Sequence, residues 1–170
     1  EDQHETTLAH VIDALMAGVE DERRGKISGD PTVDPAAKNA KVKLNEGALY
    51  FILRNIAYNP IRKDYIGATK VDVRVELVGE KQMVVVEIED NGFGVDPEMK
   101  SRIFEPGSTG AATSSEGKGM GLAYTDKRLQ SMGIGIDIVS DRKVSKKEED
   151  QDKFGTKFII SIPIITEKVA

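Results

Sequence analysis

Residues 83–88 (MVVVEI) are apolar at nearly every position. They follow 71–78 (VDVRVELV), in which Val71, Val73, Val75 and Leu77 alternate with Asp72, Arg74 and Glu76. Alternation at period two marks a half-buried strand, and a continuous apolar run marks a strand near the centre of a sheet. Gly79-Glu80-Lys81 supplies the turn between them. The central strand terminates at Asp90, and Asn91-Gly92-Phe93-Gly94 follows. This hairpin dictates a sheet with antiparallel neighbours, and the other elements must cover it or extend it.

Taken in order, residues 8–22 place Val11, Ile12, Leu15, Met16 and Val19 on one stripe of a helix, which stops at Arg23-Arg24-Gly25. Residues 25–39 carry two Asp-Pro pairs and are expected to be loop. A short strand, Ala40 to Leu44, leads to Asn45 as a helix cap. The helix from Glu46 sets Leu49, Ile52, Leu53 and Ile56 on one face. Asn55 and Asn59 lie on a neighbouring face at spacing i, i+4, with Arg62 three residues on. Pro60 sits within this helix or ends it; it removes a backbone donor and is expected to bend or stop the helix there. Asp96-Pro97 starts a short helix to about Phe104. Residues 107–117 (GSTGAATSSEG) offer nothing that anchors a core and form a loop. A helix over 121–132 and strands over 134–139 and 157–162 complete the chain, with the charged run 141–153 as a solvated hairpin loop. The expected fold is an α/β (α+β) two-layer sandwich. Its mixed, mostly antiparallel sheet has about five strands, covered on one face by about three helices.

Composition narrows the function. The 170 residues are 39% hydrophobic and 31% charged, suited to a soluble domain with a core of ordinary size. A net charge of −5 argues against a nucleic-acid partner. No apolar run is long enough to span a membrane, and no secretory signal stands at the start. Cysteine is absent, which excludes disulfides and thiolate metal sites. The first residue is Glu rather than Met, as expected of a piece cut from a longer protein.

Two glycine clusters carry the chemistry. Asp-Asn-Gly alone is ordinary turn material. At the end of a core strand, however, the Asp90 carboxylate is an acceptor suited to the exocyclic amino group of adenine, and Gly92 and Gly94 let a base pack on the backbone. Gly117-Lys118-Gly119-Met120-Gly121-Leu122 puts free N–H groups and a helix dipole at a position suited to phosphate. Its spacing is neither that of a Walker loop nor that of a dinucleotide fingerprint. Asn59 offers a neutral oxygen to Mg²⁺, and Arg62 and Lys63 offer charge to phosphates.

The ordered set of motifs over residues 40–165 resembles the ATP-binding catalytic domain of sensor histidine kinases, in the superfamily shared with DNA gyrase B, MutL and heat-shock chaperone ATPases. Leu49-x-x-Ile52-Leu53-x-Asn55-Ile56-Ala57-x-Asn59 is similar to the family's N box. Asp90–Gly94 is similar to its first glycine box, Ile103-Phe104-Glu105-Pro106 to its F box and Gly117–Leu122 to its second glycine box. Gly155-Thr156-x-Phe158, with Pro163, is similar to its closing strand. The resemblance implies a Bergerat-type ATP-binding fold over 40–165, with residues 1–39 leading in and 166–170 as a tail. It implies ATP and Mg²⁺ as cofactors and a lid at about 107–118. Asn59 would hold Mg²⁺, Asp90 would bind the adenine amino group and Gly94 would lie under the base. Gly119 and Gly121 would hold the phosphates, and Gly92, Gly117, Lys118, Met120, Leu122 and Thr156 would also belong to the nucleotide-binding set. The implied acceptor is a His on a separate dimerisation domain, which in turn serves a response regulator. The implied location is the cytoplasm or the cytoplasmic part of a membrane-bound sensor, with no direct membrane contact by this segment.

Two other functions compete. In the gyrase/MutL class a carboxylate general base precedes the Mg²⁺-binding Asn by one turn. That position is Asn55 here, and an amide cannot take a proton from water. A non-catalytic nucleotide-binding scaffold is the second. Pro60 and Gly107, which replaces the second Phe of the F box, favour it. His4-Glu5 is not followed by the remainder of a phosphoacceptor box, and His10 is a boundary residue of the first helix.

Overall fold

The computed structural model describes residues 3–24, 27–62, 66–94, 127–140 and 155–166. At its centre, β4 (Val71–Val78) and β5 (Met83–Asp90) form the expected hairpin around Gly79–Lys81. β5 pairs antiparallel with β4 on one side and with β7 (Thr156–Pro163) on the other. β6 (Gly135–Ser140) extends the sheet antiparallel to β7. The fifth strand, β2 (Pro31–Val33), runs parallel to β4 at the opposite edge, giving the order β2-β4-β5-β7-β6.

The five-stranded mixed sheet thus has the expected number of strands but not the expected members. The predicted strand before the long helix is β3 (Lys41–Leu44). It pairs instead with β1 (His4–Thr7) in a separate two-stranded sheet. The fifth strand of the main sheet comes from the segment expected to be loop. A three-residue edge strand that begins with proline gives no periodic signal, and an edge tolerates proline's missing donor. The same segment contains the short helix α2 (Pro35–Asn39). Asp34 caps it: one carboxylate oxygen accepts from Ala36 N at 3.0 Å, and the other accepts from Leu77 N on β4 at 3.2 Å.

α1 (Ala9–Arg23) and α3 (Glu46–Arg62) pack side by side on one face of the sheet. Both are amphipathic as expected. Leu8, Val11, Ile12, Leu15 and Val19 of the N-terminal segment share a single core with Leu49, Ile52, Leu53 and Ile56 of α3 and with the sheet valines. Asn45 caps α3 by accepting from Ala48 N at 3.0 Å. Pro60 neither stops α3 nor sits at its end. It is buried inside the helix, which continues to Arg62. Residues 127–131 are helical, in agreement with the end of the helix expected over 121–132. The short helix from Asp96, the 107–118 loop and the charged run 141–153 lie outside the described residues.

Leu53, 1% exposed, stands where α3 meets the core. Leu53→Ala is expected to lower stability by about 2–5 kcal/mol, measured by urea unfolding with an unchanged slope.

Candidate functional site

Side chains alternate across a strand, and in β5 Val84, Val86, Ile88 and Asp90 all point to the buried face. The register sets them in rows across the sheet. Val75, Val86, Ile160 and Ile136 form one row, and Val73, Ile88, Phe158 and Ile138 the next. The last row is Val71, Asp90, Thr156 and Ser140. The core-facing surface therefore turns polar at one end, in a single step. Asp90 is 7% exposed and Thr156 6%. Ser140 Oγ donates to Gly155 O at 2.8 Å and lies 3.4 Å from Thr156 Oγ1.

The turn after Asp90 is held from several sides. Gly92 N donates to Asp90 Oδ1 at 2.8 Å, and Gly155 N donates to Asp90 O at 2.7 Å. Asn91 is buried and acts as a clip. Its Oδ1 accepts from Thr69 N and Lys70 N at 2.8 and 2.9 Å, and its Nδ2 donates to Thr69 Oγ1 at 2.8 Å. Phe93 N donates to Ile66 O at 2.9 Å. The backbones of Gly92 and Gly155 lie so close that a Cβ on Gly155 would collide with the Gly92 carbonyl, and a Cβ on Gly92 would collide with Ile66 O. Glycine is required at both positions for that reason. Gly94, half-buried, adopts φ +82°.

α3 brings the amide pair over the same face. Asn55 and Asn59 are half-buried, and among the described residues neither side chain has a hydrogen-bond partner. Arg62, expected beside them, is engaged elsewhere. Its Nε and Nη2 donate to Glu22 of α1 at 3.0 and 2.7 Å, and its guanidinium lies 4.8 Å from the centre of the Tyr58 ring. The Glu22 bond raises the Arg62 pKa above its ordinary value. Burial, followed by the proximity of Tyr50 and Glu22, raises that of Tyr58. Lys63 and Gly117, Lys118, Gly119, Met120, Gly121 and Leu122 lie outside the described residues, as do the F box and the lid.

The donor set suits a hard cation that brings its own anionic ligands. Among the described residues no group of three or more His, Cys, Asp or Glu is placed to hold a metal ion. Asn59 offers a neutral amide oxygen, which fits Mg²⁺ when phosphates supply most of the coordination. Asn91, which turn chemistry alone explains in the sequence, is a structural clip in the fold. Its signal was its place between a core strand and two glycines.

A model of the histidine kinase-, DNA gyrase B- and HSP90-like ATPases matches residues 44–166. The chain belongs to that family, and membership implies nucleotide binding. Among curated relatives, the sensor protein GtcS of Aneurinibacillus migulanus is 35% identical over 92 residues, 54% of this chain and 24% of that protein. The sensor protein RprX of Bacteroides fragilis is 26% identical over 143 residues, 82% of this chain and 25% of that protein. The chain spans about a quarter of the length of these relatives. Among solved structures, the mycobacterial sensor histidine kinase MprB superposes with a TM-score of 0.72 at 21% identity, covering 97% of this chain and 99% of that one. Full-length ShkA in complex with AMPPNP superposes at 0.70 and 22% identity, covering 97% of this chain and 32% of that one. These likenesses establish the shared fold.

Asn91→Ala removes a buried clip and leaves two backbone donors, Thr69 N and Lys70 N, without their acceptor. The expected loss is about 1–3 kcal/mol, read by urea unfolding, with hydrogen exchange rising first at the amides of Thr69 and Lys70.

Proposed function

We propose that this chain is the ATP-binding catalytic domain of a sensor histidine kinase, transferring the γ-phosphoryl group of Mg-ATP to a His on a separate dimerisation domain. The observation that carries the reading is Asp90. It is a buried carboxylate at the one end of the core face where the apolar rows give way to polar ones, beside two glycines packed backbone to backbone. A carboxylate of this kind can accept a hydrogen bond from an amino group such as that of adenine. Asn59 would hold Mg²⁺, Thr156 stands beside Asp90 at the adenine end, and the glycine cluster 117–122 with Lys118 would supply the phosphate end. Catalysis consists of positioning and charge neutralisation, with little covalent work by the protein. ATP as donor puts the domain on the cytoplasmic side. Its partners are the His-bearing domain and, through it, a response regulator.

Asn55 favours this reading over a self-contained ATPase. An amide one turn before Asn59 cannot serve as general base toward water, so the γ-phosphoryl group waits for a protein acceptor. The committed Arg62 and the internal Pro60 are the features that favour a nucleotide-binding scaffold without catalysis.

Titration calorimetry with Mg-ATP separates these. The wild-type domain is expected to bind, and Asp90→Asn, which presents a donor where an acceptor is needed, to lose about 3 kcal/mol, on the order of a hundredfold. No heat with the wild type at millimolar nucleotide would overturn the reading. Binding without phosphoryl transfer to an added His-bearing dimerisation domain supports the scaffold, and steady phosphate release in its absence supports the ATPase class.

A further inference from the structure

α3 has a second ordered stripe besides its asparagines. Tyr50, Arg54, Tyr58 and Arg62 recur every four residues, one position before or three after Asn55 and Asn59. This spacing lines up one edge of the helix. The arginines bracket the Tyr58 ring, with Arg54 at 5.4 Å and Arg62 at 4.8 Å from its centre. The stripe faces α1, where Gly18 and Glu22 are also four residues apart. Tyr58 Oη lies so close to Gly18 that a Cβ there would collide with it. Glu22 then accepts from the Nε and Nη2 edge of Arg62 at 3.0 and 2.7 Å.

This seam is placed where α3 needs it. Pro60 has no N–H to return to the carbonyl of Ile56, so the turn that carries Asn59 into Arg62 has lost a rung. The helix nevertheless continues through Pro60 to Arg62. A bidentate carboxylate on a stacked guanidinium fixes orientation as well as distance. It grips the helix two residues past the proline.

We infer that Glu22 is a positioning residue for the nucleotide site: by clamping Arg62 over Tyr58 it splints the proline-weakened last turn of α3 and sets the angle at which Asn59 meets the metal-bound phosphates. The inference rests on the proposed nucleotide-binding reading. It brings α1 into the working unit, although α1 lies outside the family match at residues 44–166. Asp90, on the sheet, does not depend on the clamp. The adenine half of the site and the metal half are therefore separable by mutation.

The test is ADP affinity by calorimetry in Mg²⁺ and in EDTA, for the wild type, Glu22→Gln and Glu22→Asp. Glu22→Gln keeps shape and removes charge. It is expected to lower the affinity in Mg²⁺ about three- to fivefold and to leave the affinity in EDTA unchanged. Glu22→Asp, which keeps the charge, is expected to fall between Glu22→Gln and the wild type. Three results would overturn the inference: equal loss in both media, which marks general loosening; no loss in either; or tighter binding in Mg²⁺, which marks Glu22 as a competitor holding Arg62 back from phosphate. A wild type that binds no ADP in either medium would instead bring down the nucleotide-binding reading itself. A wild type that binds, with its Mg²⁺ dependence unchanged in Glu22→Gln, removes only the role of Glu22.

Discussion

Pairing register is the constraint on which the structure depends. Asp90 lies opposite Val71 on one side and Thr156 on the other. Its carboxylate consequently occupies a core-facing position that Val84, Val86 and Ile88 have set in advance. A slip of one residue would turn the whole apolar set outward and carry Asp90 with it. The buried valines thus specify the direction of the site carboxylate more firmly than any local contact does. Burying a carboxylate is costly unless its oxygens are hydrogen-bonded. The Gly92 N–H and the tight turn behind it are part of that compensation. Stability and site geometry are joined at this row.

Much of this was legible because it is periodic. The alternation of 71–78, the apolar run 83–88 and the stripe of α3 each fill a face, and a filled face fixes an element. What escaped was what periodicity cannot encode. β2 is three residues at an edge and takes its identity from pairing with β4. β3 was expected as a strand but not with β1 as its partner, because His4–Thr7 has no apolar alternation and is fixed by its pairing with Lys41–Leu44. α2 was readable in principle: Asp34-Pro35 is the same start signal as Asp96-Pro97, and the surrounding turn residues obscured it.

The candidate site divides in the same way. Periodicity placed Asp90 and Gly92 at a strand end and Asn55 and Asn59 on a helix, while their proposed roles came from the ordered set of motifs taken together. Arg62 could not be placed so simply. Helical spacing sets it near Asn59, but a long side chain goes to the strongest partner within reach, and that partner, Glu22, lies 40 residues earlier in the chain. A rule confined to one helix cannot see a carboxylate on another. Asn91 was missed for a related reason. Three hydrogen bonds of its side chain run to Thr69 and Lys70, which become neighbours only when β4 and β5 pair.

The two faces of α3 explain why so polar a helix remains in the core. Leu49, Ile52, Leu53 and Ile56 anchor it to the sheet, and the Tyr50-Arg54-Tyr58-Arg62 stripe docks it on α1. Asn55 and Asn59 lie along what is left and make no hydrogen bond of their own among the described residues. Half-buried amides without partners contribute little to stability, so under the proposed reading they are left for a ligand. Phosphoryl transfer demands groups held at fixed distance from a charged, flexible substrate. A helix anchored on the sheet and docked on α1 holds its remaining side chains in that way.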